Sequence, residues 1–111
     1  MASEPLFDFD SVEALEAVGQ DVRNATEFIK ALAHEGRLLI LCRLHQGECS
    51  VSELEALTSA RQSAVSQQLA RLRQENLVVT RRDGKTVYYS ISDERVHRMI
   101  GVLHNLFCSR P

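Results

Sequence analysis

SVSELEALTSARQSAVSQQLARLRQENLVVTRRDGKTVYYSI, residues Ser50 to Ile91, is the stretch whose reading decides the fold. Ser50 and Glu53 form the Ser-x-x-Glu pattern in which side chain and backbone cap one another at a helix start. Val51, Leu54 and Leu57 follow as the apolar positions of a short helix, and Thr58-Ser59-Ala60-Arg61 reads as a tight turn. Val65, Leu69 and Leu72 then recur at steps of four and three, the buried stripe of a helix over residues 62–75. Its opposite face carries Gln62, Ser63, Ser66, Gln67, Arg71 and Gln74. From Leu77 the period falls to two. The alternating runs Leu77-Val79 and Val87-Tyr89-Ile91 flank Asp83-Gly84, where glycine supplies the positive φ of a hairpin turn.

Working outward, Val12, Leu15, Val18, Val22, Ala25, Ile29 and Leu32 make one helical stripe over about residues 11–33, with Asp10 as its expected cap and Gly36 as its interruption. Leu38, Leu39, Leu41, Cys42 and Leu44 form a second helix that is apolar on more than one side, which predicts deep burial. Gly47 stands where a helix C-terminal glycine belongs. Ser92-Asp93-Glu94 opens a last helix whose stripe is Val96, Met99, Ile100, Leu103, Leu106 and Phe107. The expected order is α-α-α-α-β-β-α, mainly α with a small β-hairpin: a loose tail over 1–9 and one winged helix-turn-helix domain over 10–111.

The 111 residues are 44% hydrophobic and 25% charged, which fits one globular domain and excludes wholesale disorder. No apolar run is long enough to cross a membrane, and Met1 to Asp10 lacks the basic start and apolar core of a secretory signal, so the cytoplasm is the expected compartment. The net charge of −2 hides an uneven distribution. Residues 1–36 hold eight acids against two bases, whereas residues 61–89 hold six bases against two acids. A basic block of that kind can hold phosphate while the remainder keeps the chain soluble. Three cysteines, none in Cys-x-x-Cys spacing, argue against a disulfide framework and a zinc ribbon.

Helix, turn, polar-faced helix and basic-tipped hairpin together suit duplex DNA. A recognition helix needs an apolar face to dock on its own domain and short polar side chains to enter the major groove. Gln62, Ser63, Ser66 and Gln67 supply them, and Arg71, further along, would meet backbone. Arg81, Arg82 and Lys85 put three cations on a narrow projection that can follow a phosphate strand. A winged helix that binds protein instead is the competing module. An enzyme is disfavoured: no Ser/His/Asp set, phosphate-cradling glycine loop or paired carboxylates stand out, and the cysteines are too far apart for a thiol oxidoreductase.

Ala31-Leu32-Ala33-His34-Glu35-Gly36-Arg37-Leu38-Leu39-Ile40-Leu41 and Gln62-Ser63-Ala64-Val65-Ser66-Gln67-Gln68-Leu69-Ala70-Arg71-Leu72-Arg73 resemble the two signature stretches of the ArsR/SmtB bacterial repressors. Leu77-Val78, Arg81-Arg82 and Val87-Tyr88-Tyr89 match their wing. The resemblance, over about residues 28–108, implies a homodimer joined by its first and last helices and a double-stranded operator with inverted half-sites. Gln68 stands where many members have His, and Gly36 where many have Pro.

Many relatives of this kind sense metals. The soft-metal site of the family uses Cys-x-Cys at the start of the third helix, where this chain has Ser50-Val51-Ser52. The zinc-type site needs Asp-x-His on the last helix, where this chain has Asp93-Glu94-Arg95. His97, His104 and Cys108 remain as a possible metal-sensing set; otherwise neither metal nor cofactor is expected.

The thiols can also be read two ways. A cysteine in a buried helix is commonly a small core residue. Leu41-Cys42 and Leu106-Phe107-Cys108, however, resemble the cysteine positions of the persulfide-sensing SqrR/BigR-type branch of that family. The resemblance implies that Cys42 and Cys108 are the redox-sensing pair and that low-molecular-weight persulfides or polysulfides are the inducers. It further implies a repressor that leaves its operator when the two thiols are bridged, controlling genes for sulfide and persulfide removal. A peroxide-type disulfide switch is the related alternative. Arg43 and Arg110 stand beside the pair in sequence as cations that favour thiolate, and Cys49 matches no sensor position.

Overall fold

A computed structural model gives the fold. It describes residues 5–58 and 62–108, with the side chains of Gln62 and Ser63 outside the described part. The elements are α1 (Val12–Leu32), α2 (Glu35–His45), β1 (Cys49–Ser50), α3 (Val51–Thr58), α4 (Gln62–Gln74), β2 (Val78–Asp83), β3 (Thr86–Ile91) and α5 (Glu94–Phe107). Two compact units are present, one ending at Leu32 and one beginning at Ala33.

The first unit contains α1. Its cap is Ser11, whose Oγ accepts from the Ala14 amide at 3.0 Å; the expected cap, Asp10, instead gives its own amide to Asp8. Serine reaches the N3 amide from the same position an aspartate would, so a one-residue shift costs the helix nothing. Val12, Leu15, Val22 and Ile29 lie exposed along it.

The second unit is the winged helix. Its core is Ile40, Leu41 and Leu44 from α2, Leu54 from α3, Val65, Leu69 and Leu72 from α4, Leu77, Val78 and Tyr89 from the wing, and Val96 and Ile100 from α5. The helix break expected at Gly36 lies earlier, because His34 caps α2. Its Nδ1 accepts from the Gly36 amide at 3.1 Å and the Arg37 amide at 3.4 Å. Gly36 fits by lacking a side chain: a Cβ there would stand 3.2 Å from the His34 ring. The expectation that α2 is buried on more than one side is corrected too. Ile40, Leu41 and Leu44 face the core, while Leu39 and Cys42 are exposed. Gly47 ends the helix at positive φ, as expected.

Ser50 and Glu53 make the reciprocal cap that the pattern predicted, with the Ser50 amide donating to Glu53 Oε1 at 3.1 Å and the Glu53 amide to Ser50 Oγ at 3.2 Å. The turn expected at Thr58–Arg61 falls largely outside the described residues. At the end of α4, Asn76 takes φ of 60°. The Leu77 amide then reaches back to the Leu72 carbonyl and the Asn76 amide to that of Arg73, and the buried pair Leu72 and Leu77 seals the stop.

The sheet has three antiparallel strands in the order β1-β3-β2, one more than expected. Cys49 opposes Tyr89 and Ser50 opposes Tyr88, while Val78 opposes Ile91 and Asp83 opposes Thr86. That register makes Gly84-Lys85 the two-residue loop, so Gly84 stands first in it rather than second. At φ of 63° it suits the turn class that places glycine first. Val78, not Val79, faces the core. Asp93 caps α5 through the Arg95 amide at 2.8 Å, where the sequence placed that helix start.

Candidate nucleic-acid interface and thiol cavity

The helix-turn-helix is α3 and α4. Val65, Leu69 and Leu72 are buried, which leaves Ser66, Gln67, Arg73 and Gln74 exposed on the outer face of α4. The expected contacts Gln62 and Ser63 lie at its start, and nothing further is described of their side chains. Arg71 is half-buried and forms an ion pair with Glu75 at 3.3 Å. Gln68 works inward: its Oε1 accepts from Arg37 Nη1 at 2.9 Å and its Nε2 lies 3.4 Å from His34 Nε2. The Arg37–Gln68 bond thus braces α4 against the start of α2. Sequence reasoning missed the brace, since nothing in the sequence pairs two side chains 31 positions apart.

In the wing, Arg82 and Lys85 are exposed. Arg81 is held. Its Nε and Nη2 donate to the two Glu48 oxygens at 2.7 Å each, and its guanidinium lies 4.5 Å above the Tyr88 ring centre. This fork holds the Glu48 carboxyl below its ordinary range and raises Arg81. The cation read as a third DNA contact therefore also fastens the wing to the segment before β1.

Cys42 and Cys108 are both exposed and line one cavity of about 710 Å³ between α2 and α5. Leu38, Ile100, Leu103 and Phe107 are its large apolar side chains, with His45, Gln46, His104 and Asn105 as the polar ones. Burial pushes the Cys42 thiol up, and the neighbouring Cys108 pushes it further. Arg43 turns away, to Glu53 at 3.9 Å and the Gly47 carbonyl, and Arg110 lies outside the described residues. Cys49 is the buried cysteine, opposite Tyr89 in the sheet, and burial raises its thiol.

The possible metal set is corrected by the geometry. His97 and His104 are seven residues apart, about 10.5 Å along a helix. The His97 ring instead meets His45, with the two Nδ1 atoms 2.8 Å apart. Among the described residues no three His, Cys, Asp or Glu side chains gather into a group that could hold a metal. None of their helices is long and apolar enough to cross a membrane.

Residues 34–80 match the bacterial regulatory protein arsR family. A biofilm growth-associated repressor of Agrobacterium fabrum is 43% identical over 90 residues, which are 78% of this chain and 77% of that one. The chain belongs to the arsR family. Two solved structures of arsR-type regulators agree in fold. Reduced HlyU from Vibrio cholerae is 42% identical with a TM-score of 0.81, covering 85% of this chain and 99% of that one. The transcriptional repressor BigR from Xylella fastidiosa is 33% identical with a TM-score of 0.79, covering 86% and 97%. ArsR-family regulators bind operator DNA, are typically dimers and are generally not enzymes.

Proposed function

We propose that this chain is a dithiol-switched repressor. Reduced, a homodimer holds an operator with inverted half-sites; bridged between Cys42 and Cys108 by reactive sulfur, it lets go, and genes for sulfide and persulfide removal are expressed. The observation that carries the reading is that two cysteines far apart in sequence line one cavity. That a relative was solved in a form described as reduced, and that another is a repressor with the same fold, supports it.

The chemistry closes without a further oxidant. One thiolate attacks the outer sulfur of a persulfide; an S–S bond forms to the protein and the carrier leaves as a thiolate. The second thiolate attacks the inner sulfur of the new protein persulfide and expels hydrosulfide, leaving a disulfide. Transfer of a further sulfur before closure lengthens the bridge and relaxes the limit of about 7 Å between Cα atoms that a plain disulfide sets.

The bridge ties α2, which Gln68 and Arg37 brace against the recognition helix, to α5. Val102 and Leu106 of α5 are exposed in the single chain, as are Val12, Leu15, Val22 and Ile29 of α1, and pairing across a two-fold axis would cover both sets. Release needs only about 10–100-fold weaker binding, about 1.4–2.8 kcal/mol of coupling between the sites. Arg82 and Lys85 of the wing, with Gln62, Ser63, Ser66 and Gln67, are the proposed DNA contacts. Arg71 and Arg81 reach DNA only if their carboxylate partners yield them.

Gel-shift titration with promoter DNA before and after treatment with glutathione persulfide tests the reading. The expected result is a fall in affinity that dithiothreitol reverses and that Cys42→Ser abolishes. Unchanged affinity, or a loss that persists in Cys42→Ser, overturns it.

A further inference from the structure

We propose that the cavity between α2 and α5 takes its sulfur from an uncharged, apolar carrier of zero-valent sulfur, a dialkyl polysulfide or elemental sulfur, in preference to an ionic carrier such as a glutathione derivative. The inference rests on the thiol-switch reading and names its substrate class. Four observations carry it. The wall is mainly apolar, with Leu38, Ile100, Leu103 and Phe107 as its large hydrocarbon side chains. No Lys, Arg, Asp or Glu is among its described lining residues; beside the thiols, His45 and His104 are the ionisable groups. The Nδ1 of His45 is already engaged by His97 at 2.8 Å, which leaves that ring one nitrogen for a ligand. The volume of about 710 Å³ lies within the range of small-molecule sites. A tripeptide with two carboxylates and an ammonium finds no oppositely charged Lys, Arg, Asp or Glu on this wall to offset the water its ions give up on approach, whereas an alkyl chain gains about 0.8 kcal/mol per buried methylene.

The step balances. One protein thiolate attacks the central sulfur of a trisulfide R–S–S–S–R, forming a protein–sulfur bond and releasing one R–S⁻. The second thiolate attacks that same sulfur and releases the other R–S⁻. The protein keeps one sulfur atom as a trisulfide bridge and loses two electrons, which leave on the two carrier thiolates. The thiol protons pass to water or to the carrier. With elemental sulfur the first attack opens the ring and the second releases the remaining sulfur as a polysulfide dianion.

The test uses matched donors and the reduced full chain. Dipropyl trisulfide and glutathione trisulfide share one reactive linkage and differ in charge; elemental sulfur is the third arm and separates the two apolar sources. Bridging is followed by intact mass, and the rate ratio between the two trisulfides is compared with the same ratio for free cysteine. The expected result is a ratio at least about tenfold above that of free cysteine, the factor that roughly two buried methylenes per donor supply. Gly101 lines the cavity, and a Cβ built there meets nothing within 4 Å. Gly101→Lys should therefore pull the ratio back toward that of free cysteine by charge, while the similarly long Gly101→Met should not. A wild-type ratio equal to that of free cysteine overturns the inference, as does an equal effect of Lys and Met. If glutathione persulfide bridges the pair but the apolar donors do not, this inference fails and the thiol switch stands; if no donor bridges it, both fail.

Discussion

Cys42 and Cys49 stand seven residues apart and meet opposite surroundings. Cys42 opens on the cavity with Cys108, whereas Cys49 is fully buried against the sheet. Brief alkylation of the native, reduced protein with iodoacetamide should label Cys42 and Cys108 and spare Cys49, with peptide mass mapping as the readout. Cys49→Ala should cost about 1 kcal/mol in a denaturant titration, the order expected for removing one small buried group, and leave the response to sulfur donors intact. The sequence could not rank these three thiols by environment. Cys42 sits among leucines, which predicted burial, but α2 turns it outward one residue after the buried Leu41. Cys49 sits in a two-residue strand, too short for any alternation to be read.

At the level of the elements, the helix ends carry signals of uneven strength. Ser50 with Glu53 was legible because both halves of that cap lie in the side chains. His34 was not, because an imidazole seldom caps a helix and works here only where Gly36 leaves it room. Asn76 was not legible either, since its left-handed backbone follows from the stop that Leu72 and Leu77 seal. Asn76→Ala should cost about 1 kcal/mol and Asn76→Gly should cost less, as measured by thermal or denaturant unfolding. Acid should find the caps as well. The Ser50 amide and hydroxyl hold the Glu53 carboxyl below its ordinary range, and Arg95 does the same for Asp93. A depressed carboxylate stabilises the fold above its unfolded pKa, about 4, and that contribution is lost as pH falls through the lower folded value. Stability should therefore decline below about pH 4 and less steeply in Glu53→Gln, which keeps the neutral hydrogen bonds.

For the whole molecule, the fold was legible because a period-four stripe, a polar outer face, a change to period two and a basic loop follow one another in one order. The candidate site was legible only in part. Which cations are held by a carboxylate is settled by the fold: Arg81 lies on Glu48, far away in sequence, and Arg71 on Glu75, one helical turn on. Arg82→Ala and Lys85→Ala should each weaken operator binding across DNA sequences and lower the salt slope by about one unit per contact removed. A bound winged helix whose partner is protein would show no such slope. Glu48→Ala frees Arg81, and its effect on affinity separates a fastening role from a phosphate contact.

The central claim is that the two thiols of one cavity close on each other. Its most direct measurement is peptide mapping, by mass spectrometry without reduction, of the protein treated with glutathione persulfide. The account predicts a Cys42–Cys108 cross-link within one chain, bridged by a disulfide or by added sulfur, with Cys49 unmodified. Persulfidation of either thiol without a cross-link, or a bridge that recruits Cys49, would contradict it.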